Sequence, residues 1–487
     1  MSERLIRAGR LLAAPGLQPV TYDSELRIDG GRIESVQSMP SPAGALDGLL
    51  AMPPLANAHD HGRGLRPSAI NAIELPLELW ASAATGSPRA DPYLVAALAL
   101  GRAALGGAGS VMVHYTRAQG GMSLVDEAAE VCRAAADVGV RIAFSVAQRD
   151  RNVLAYAGDE KLLAMLDPAD REPVRKRLAR PDPGPVESVA LVEAIAARCA
   201  SPMVDVQFGP VGVQWCSDQL LERIAESSAA TGRRVHMHLL ETRPQREWAD
   251  AQYPQGVVRY LDEIGLLSPR LSAAHVIWAR PDELELMAER GVTVCINPSS
   301  NLHVRSGVAP VDGYVRAGLP FALGLDGLSM DDDDDAWREL RLAFMQHKDI
   351  ALNPGVPMAT IVQAAIANGR RVVTGDAGPA TLAPGRPADI LLMRYGEMAS
   401  DVIADDVDPL AMLLRRATRA HVAGLIVAGR DVVRDGRLTG LDLAAAETEL
   451  MRQVASGVDD FRDWQRTSRR MREHLFRFYR DGMHTCC

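Results

Sequence analysis

The chain has 487 residues, 47% of them hydrophobic and 24% charged, an ordinary balance for a folded globular protein. Its formal net charge is −9 with no long basic run, which argues against nucleic acid or an anionic membrane as a partner. The opening MSERLIRAGRLL lacks a signal peptide's apolar core, and no apolar run is long enough to span a bilayer. Six cysteines (Cys132, Cys199, Cys216, Cys295, Cys486, Cys487) form no CxxC pair, so reduced thiols and a cytoplasmic location are expected.

Residues 1–54 read as short strands and turns, RLIRAGRLL and then ELRIDGGRIESVQS, with a hairpin signal at Asp29-Gly30-Gly31. Over residues 55–374 short apolar runs alternate with helical stretches: GSVMVHY, VRIAFSVAQ, VDVQFGP, RRVHMHLLE, LSAAHVIW, VTVCINP and PFALGLDG. That alternation predicts an α/β fold, a (β/α)₈ TIM barrel. Strand-and-turn composition returns over residues 375–440 (RPADILLMRY, AGLIVAGRDVVRDGRL). Neither terminal part has enough strands for a core, so both are expected to build one small composite β domain. Residues 441–487 space Val454, Val458, Phe461, Met471, Leu475 and Phe478 at helical intervals, which predicts one or two amphipathic surface helices and a tail. Tyr156 to Val186, rich in charge and proline, reads either as a solvated loop with a short helix or as a lid or subunit contact over the barrel mouth. The run Asp331 to Asp335 reads as a helix N-terminal cap.

His59-Asp60-His61 follows PPLANA, where a strand ends. Residues i and i+2 on a strand point to the same side, so both imidazoles could converge on one ion. An HxH alone is weak, but His238 and Glu241 close RRVHMHLLE, His275 sits in LSAAHVIW and Asp326 ends PFALGLDG. Each falls at the C-terminal end of a predicted strand, where such barrels carry their active sites. Imidazole and carboxylate donors suit Zn²⁺ or Fe²⁺. His236 would share His238's face on a regular strand and stays open as an alternative ligand. His114, at the end of VMVHY, is a candidate for touching substrate. Arg63 and Trp80 follow the HxH; an arginine and an aromatic platform suit a planar polar ring, against the plainer reading of surface arginine and core tryptophan. Trp215 is a further candidate.

HDH, HMHLLE, AAH and GLDG, in that order, resemble the amidohydrolase superfamily. INPSSNLHVRSGVAP and LDGLSMDDDDDAWRELRLAF resemble its cytosine-, guanine- and adenosyl-type deaminase and triazine hydrolase branch, and TLAPGRPADILLM is similar to the family's tail. The resemblance covers essentially the whole chain. It implies one divalent metal per subunit, Zn²⁺ first and Fe²⁺ second, on His59, His61, His238 and Asp326. Glu241 becomes the proton shuttle, His275 the polariser of the attacked group, and Asp326 a ligand that doubles as a base. Two-metal members bridge their ions with a modified lysine on a barrel strand; the lysines here are Lys161, Lys176 and Lys348, and the fourth strand offers Gln207. There is also a departure. Related deaminases often place a proline-histidine pair after the fourth strand, where this chain has Pro210-Val211.

The implied activity is hydrolysis of a non-peptide C–N bond, deamination of a nitrogen heterocycle. Ring opening of a cyclic amide or imide is the alternative, and a non-catalytic barrel is the third reading. A small-molecule substrate and a homo-oligomer, dimer or tetramer, are expected.

Overall fold

The computed structural model describes residues 4–39, 48–179, 183–330 and 332–485. Its N-terminal strands are β1 (Arg4–Leu11), β2 (Thr21–Asp29), β3 (Arg32–Ser38) and β4 (Leu49–Met52). Eight strands then follow in the order of the chain: β5 (Leu55–Asn57), β6 (Ala108–Tyr115), β7 (Arg141–Gln148), β8 (Val204–Pro210), β9 (Val235–Leu239), β10 (Leu271–His275), β11 (Thr293–Ile296) and β12 (Phe321–Leu323). Each pairs in parallel with the next. The Ala58 amide donates to the Leu323 carbonyl at 2.9 Å and the Asp326 amide to the His59 carbonyl at 2.8 Å, so the last strand meets the first and the (β/α)₈ barrel closes.

These strands read as near-continuous apolar runs because helices cover the outside while the inside is packed as well. In β9, Val235, Met237 and Leu239 join the large core with the outer helices, which leaves His236 and His238 on the opposite, inner face. An interior cluster, mostly of small side chains, includes Ala58, Met112, Ala143, Ala274, Cys295 and Ala322.

The final strands are β13 (Ile390–Arg394), β14 (Val422–Val427), β15 (Arg430–Arg434) and β16 (Arg437–Leu438). They continue one sheet with the N-terminal strands in the order β16-β15-β14-β13-β4-β1-β2-β3. Both chain ends therefore build the second domain, joined where β13 pairs antiparallel with β4. Ile6, Leu26, Ile28, Ile33, Ile390 and Ile426 form its core.

Two C-terminal helices complete the chain. Leu443–Ala455 packs its Leu450 and Val454 against Val95 and Leu98. Val458–Arg480 runs beside the helix Leu77–Ala84, with the Trp464 indole donating to the Ser82 carbonyl at 2.9 Å. The proline-rich stretch is not a bare loop: it contains helices Asp159–Met165 and Pro168–Leu178. The second of them is tied to the C-terminal helix by Arg470–Asp170 at 2.6 Å and Arg177–Asp460 at 2.8 Å.

Asp335 caps the helix Ala336–His347 through the Trp337 amide. Its neighbours do different work: Asp334 pairs with buried Arg102 at 3.0 Å and Asp333 with Arg419 at 3.1 Å. Asp331 lies outside the described residues. Cys132, Cys199, Cys216 and Cys295 are free thiols; Cys486 and Cys487 lie outside the described residues. Among the described residues no helix is long and apolar enough to cross a membrane.

Candidate metal centre at the barrel mouth

β5 ends at Asn57, so His59 and His61 lie beyond the strand, and strand alternation is not what brings them together. Asp60 shapes the turn instead. Its carboxylate accepts from the His61 amide (2.7 Å), the Gly62 amide (2.9 Å), the Gly327 amide (3.2 Å) and the Asn57 side chain (2.7 Å). Gly324 lets the eighth strand approach: a Cβ there would stand 2.8 Å from the Cβ of His59. Glu241 and Asp326 likewise sit past their strands. Leu240, His275, Val276 and Asp326 all hold positive φ, at 49°, 73°, 51° and 60°, the kind of backbone cost that clusters at functional sites.

His59 Nε2 lies 3.3 Å and His61 Nε2 3.0 Å from Asp326 Oδ1, and His238 Nε2 lies 3.4 Å from His61 Nε2. Ligand bonds of about 2.0–2.2 Å at roughly tetrahedral angles separate donor atoms by about 3.3–3.5 Å, so this spacing fits one shared ion. Three overlapping groups, His59-His61-Asp326, His59-His238-His275 and His59-His114-His236, each bring their donor atoms within 4.8 Å. His59 Nε2, Asp326 Oδ1 and His275 Nε2 are buried without a hydrogen-bond partner. Buried polar atoms are rarely left so, and a cation would satisfy the first two.

The far side of each imidazole is fixed. His238 Nδ1–H donates to the Val211 carbonyl at 2.6 Å and His61 Nδ1–H to the His114 carbonyl at 2.8 Å. His59 Nδ1–H donates to His236 Nε2 at 2.7 Å, and His236 Nδ1–H to Ser272 Oγ at 2.7 Å. This pattern points every Nε2 lone pair inward, the orientation second-sphere partners give metal-binding histidines. It also sets His236 apart from the donors, because both its ring nitrogens are taken up, Nε2 by His59 Nδ1 and Nδ1 by Ser272 Oγ. Burial lowers the pKa of His59 to about 4 and pushes His61 and His238 below their ordinary value, so all three are neutral, as ligands must be. Burial would raise Asp326, but its neighbours His59 and His61 outweigh burial and hold it well below the carboxylate range. Its Oδ2 accepts from Ser300 Oγ at 2.6 Å.

Beside these donors, His275 Nε2 lies 3.8 Å from Glu241 Oε2, while His275 Nδ1 bonds Asn301 Oδ1 at 2.8 Å. Burial raises Glu241 to about 7, against the pull of His275. Ser306 Oγ donates to Glu241 Oε1 at 3.2 Å.

The other candidates are more dispersed. Arg63 and Trp80 line a cleft that begins at His61, together with Thr116, Arg117 and Gln119. Arg63 donates to the Asp326 carbonyl at 2.6 Å and stacks 5.0 Å from the Trp80 ring, whose indole donates to the Ala72 carbonyl at 2.8 Å. Trp215 stands edge-on to Tyr156 at 5.7 Å with its indole N–H unpartnered. His114 is fully buried among the histidines, 4.9 Å from the His238 ring, and its Nε2–H donates to the Gly209 carbonyl at 3.2 Å. Sequence reasoning missed Asn57, Asp60, Ser300 and Asn301, although all four lie inside the motifs LANAHDH and INPSSN. It also missed Glu78, Tyr156 and Thr242, which no motif marked.

A closed barrel with neutral imidazoles and a carboxylate converging at its strand ends defines a class of proteins built to hold a metal at the barrel mouth. The chain belongs to the amidohydrolase family, whose model matches residues 50–432. It is 32% identical over 244 residues to a 5'-deoxyadenosine deaminase of Methanothermobacter thermautotrophicus, covering 50% of this chain and 56% of that one. It is 27% identical over 468 residues to a 5-methylthioadenosine/S-adenosylhomocysteine deaminase of Nitratidesulfovibrio vulgaris, covering 94% and 98%. With some relatives, the first among them, the match spans about half of their length. Among solved structures, a zinc-bound adenosine deaminase from Xanthomonas campestris superposes with a TM-score of 0.74 at 25% identity, covering 94% and 98%.

Proposed function

We propose that the chain is a hydrolase that removes an amino group from a nitrogen heterocycle, using one divalent ion, Zn²⁺ first, on His59, His61, His238 and Asp326. The carrying observation is three neutral imidazoles and a carboxylate at ligand spacing beside Glu241. The deaminase names of the relatives and the zinc in the Xanthomonas structure agree with it. A second ion of the lysine-bridged kind has no support. Lys161, Lys176 and Lys348 lie away from the strands, and Gln207 of β8 donates to the Val372 carbonyl at 3.2 Å.

When bound, such an ion lowers the pKa of a water ligand from about 15.7 to about 7 and so supplies a nucleophile at neutral pH. Glu241 then takes the nucleophile's proton at a carboxylate oxygen and delivers it to the leaving nitrogen; a pKa of about 7 suits both transfers. His275 polarises the attacked group and so offsets charge developing on the ring. Asp326 serves as ligand and second base. Arg63, Trp80 and Trp215 contact the substrate ring, and His114 supports His61 and His238.

The test is a panel of aminopurines, aminopyrimidines and aminotriazines incubated with zinc-loaded protein, scored for ammonia and for new carboxylate. Ammonia with the ring intact is expected, falling by at least about 10²-fold in Glu241→Gln with the metal retained. A new carboxylate without ammonia, or an unimpaired Glu241→Gln, contradicts the reading.

A further inference from the structure

Glu78, on the helix after the first barrel strand, is buried, and among the described residues no cation pairs with it. A buried carboxylate without a cation is costly, and Glu78 is held by two hydroxyls instead. Thr242 Oγ1–H donates to its Oε1 at 2.5 Å and Tyr156 Oη–H to the same oxygen at 3.0 Å. Thr242 follows Glu241 directly and caps the next helix, accepting from the Gln245 amide at 3.3 Å. Gln245 closes the ring: its Oε1 accepts from the Glu241 amide at 2.8 Å and its Nε2 donates to Tyr156 Oη at 3.5 Å. Behind Tyr156 lies Tyr479 of the C-terminal helix, 5.1 Å ring to ring, with its hydroxyl on the Leu154 carbonyl at 2.5 Å.

We propose that Glu78 is a positioning residue for Glu241, fixing the turn that carries it through Thr242, Tyr156 and Gln245 and tying that turn to the C-terminal helix. The inference rests on Glu241 as the proton carrier. Glu241 stands two residues beyond β9, after Leu240 in a left-handed conformation, so the strand itself does not hold it. The ring of hydrogen bonds supplies the missing restraint, and it draws on three segments far apart in sequence. Misplacing a reacting group by about 1 Å can cost about 10²-fold in rate, which gives the clamp its value.

The experiment compares Glu78→Leu, Glu78→Gln, Tyr156→Phe and Glu241→Gln in the full chain. It measures kcat, KM, metal content, and amide hydrogen exchange of the segment 239–246. Glu78→Leu is expected to lower kcat by about 10- to 10²-fold with KM and metal content near parent values and faster exchange in that segment. Glu78→Gln keeps an oxygen that accepts both hydroxyls and is expected to retain most of kcat. Tyr156→Phe is expected to move kcat and exchange the same way by less. Parent-like kcat and exchange in Glu78→Leu, or a rise in KM instead, overturns the proposal. So does a Glu78→Gln as impaired as Glu78→Leu, which would assign the effect to charge. If Glu78→Leu does not fold, parent-like exchange and kcat in Tyr156→Phe overturns it. An active Glu241→Gln would instead defeat the reading of Glu241, while exchange still reports on the clamp.

Discussion

Two clusters of buried charge occupy opposite ends of the barrel strands, and they are finished differently. At the N-terminal end, Arg141 opens β7 and donates to both oxygens of Asp389 at 2.8 Å, while the Ala428 amide donates to the same carboxylate at 2.7 Å. That cluster joins the barrel to the composite sheet and spends its donors within the protein. At the C-terminal end, Asp326 Oδ1, His59 Nε2 and His275 Nε2 are left without partners although the other polar atom of each side chain is hydrogen-bonded. A self-satisfied cluster holds the fold together; one whose orphan atoms all face the same point is built to receive a ligand.

Substitutions at the two ends should therefore diverge. Asp326→Ala should abolish metal binding and turnover while leaving the melting temperature of the metal-free protein close to that of the metal-free parent, because Oδ1 has no hydrogen-bond partner to lose and Oδ2 only the Ser300 hydroxyl. A matched drop in metal-free stability would mean the rim is structural. Arg141→Leu should do the reverse, since it removes the bidentate partner of buried Asp389 and leaves only Arg370, at 3.9 Å, and the Ala428 amide. A stability loss of about 3–5 kcal/mol is expected, read by denaturant titration, with metal content and kcat of the folded protein unchanged.

Two smaller effects sharpen the contrast. His236→Ala removes the acceptor behind His59 and should weaken metal affinity by about 10- to 100-fold without eliminating it, measured by chelator competition. Loss as complete as in His238→Ala would make His236 a ligand. Trp215→Phe deletes an unpartnered indole N–H and should cost kcat/KM about 1 kcal/mol on a substrate that accepts from it, with metal content untouched; no change across the panel would place Trp215 outside the pocket.

The barrel was legible because each strand is a short buried apolar run between helices, and the donors were legible because they cluster at strand ends. Strand alternation would have aligned His59 and His61, yet β5 stops at Asn57 and Asp60 holds the turn. His236 could not be separated from His238 by spacing, since both face the barrel interior; the 2.7 Å contact with His59 separates them. The Glu78 network was out of reach because its contacts join residues 78 and 164 positions apart, and nothing local marks a glutamate in an apolar helix as buried.

Metal analysis of the purified protein tests the central claim most directly. One equivalent per chain, lost in His238→Ala and retained with weakened affinity in His236→Ala, is the expected result. Two equivalents, or none with activity intact, would contradict the site as assigned.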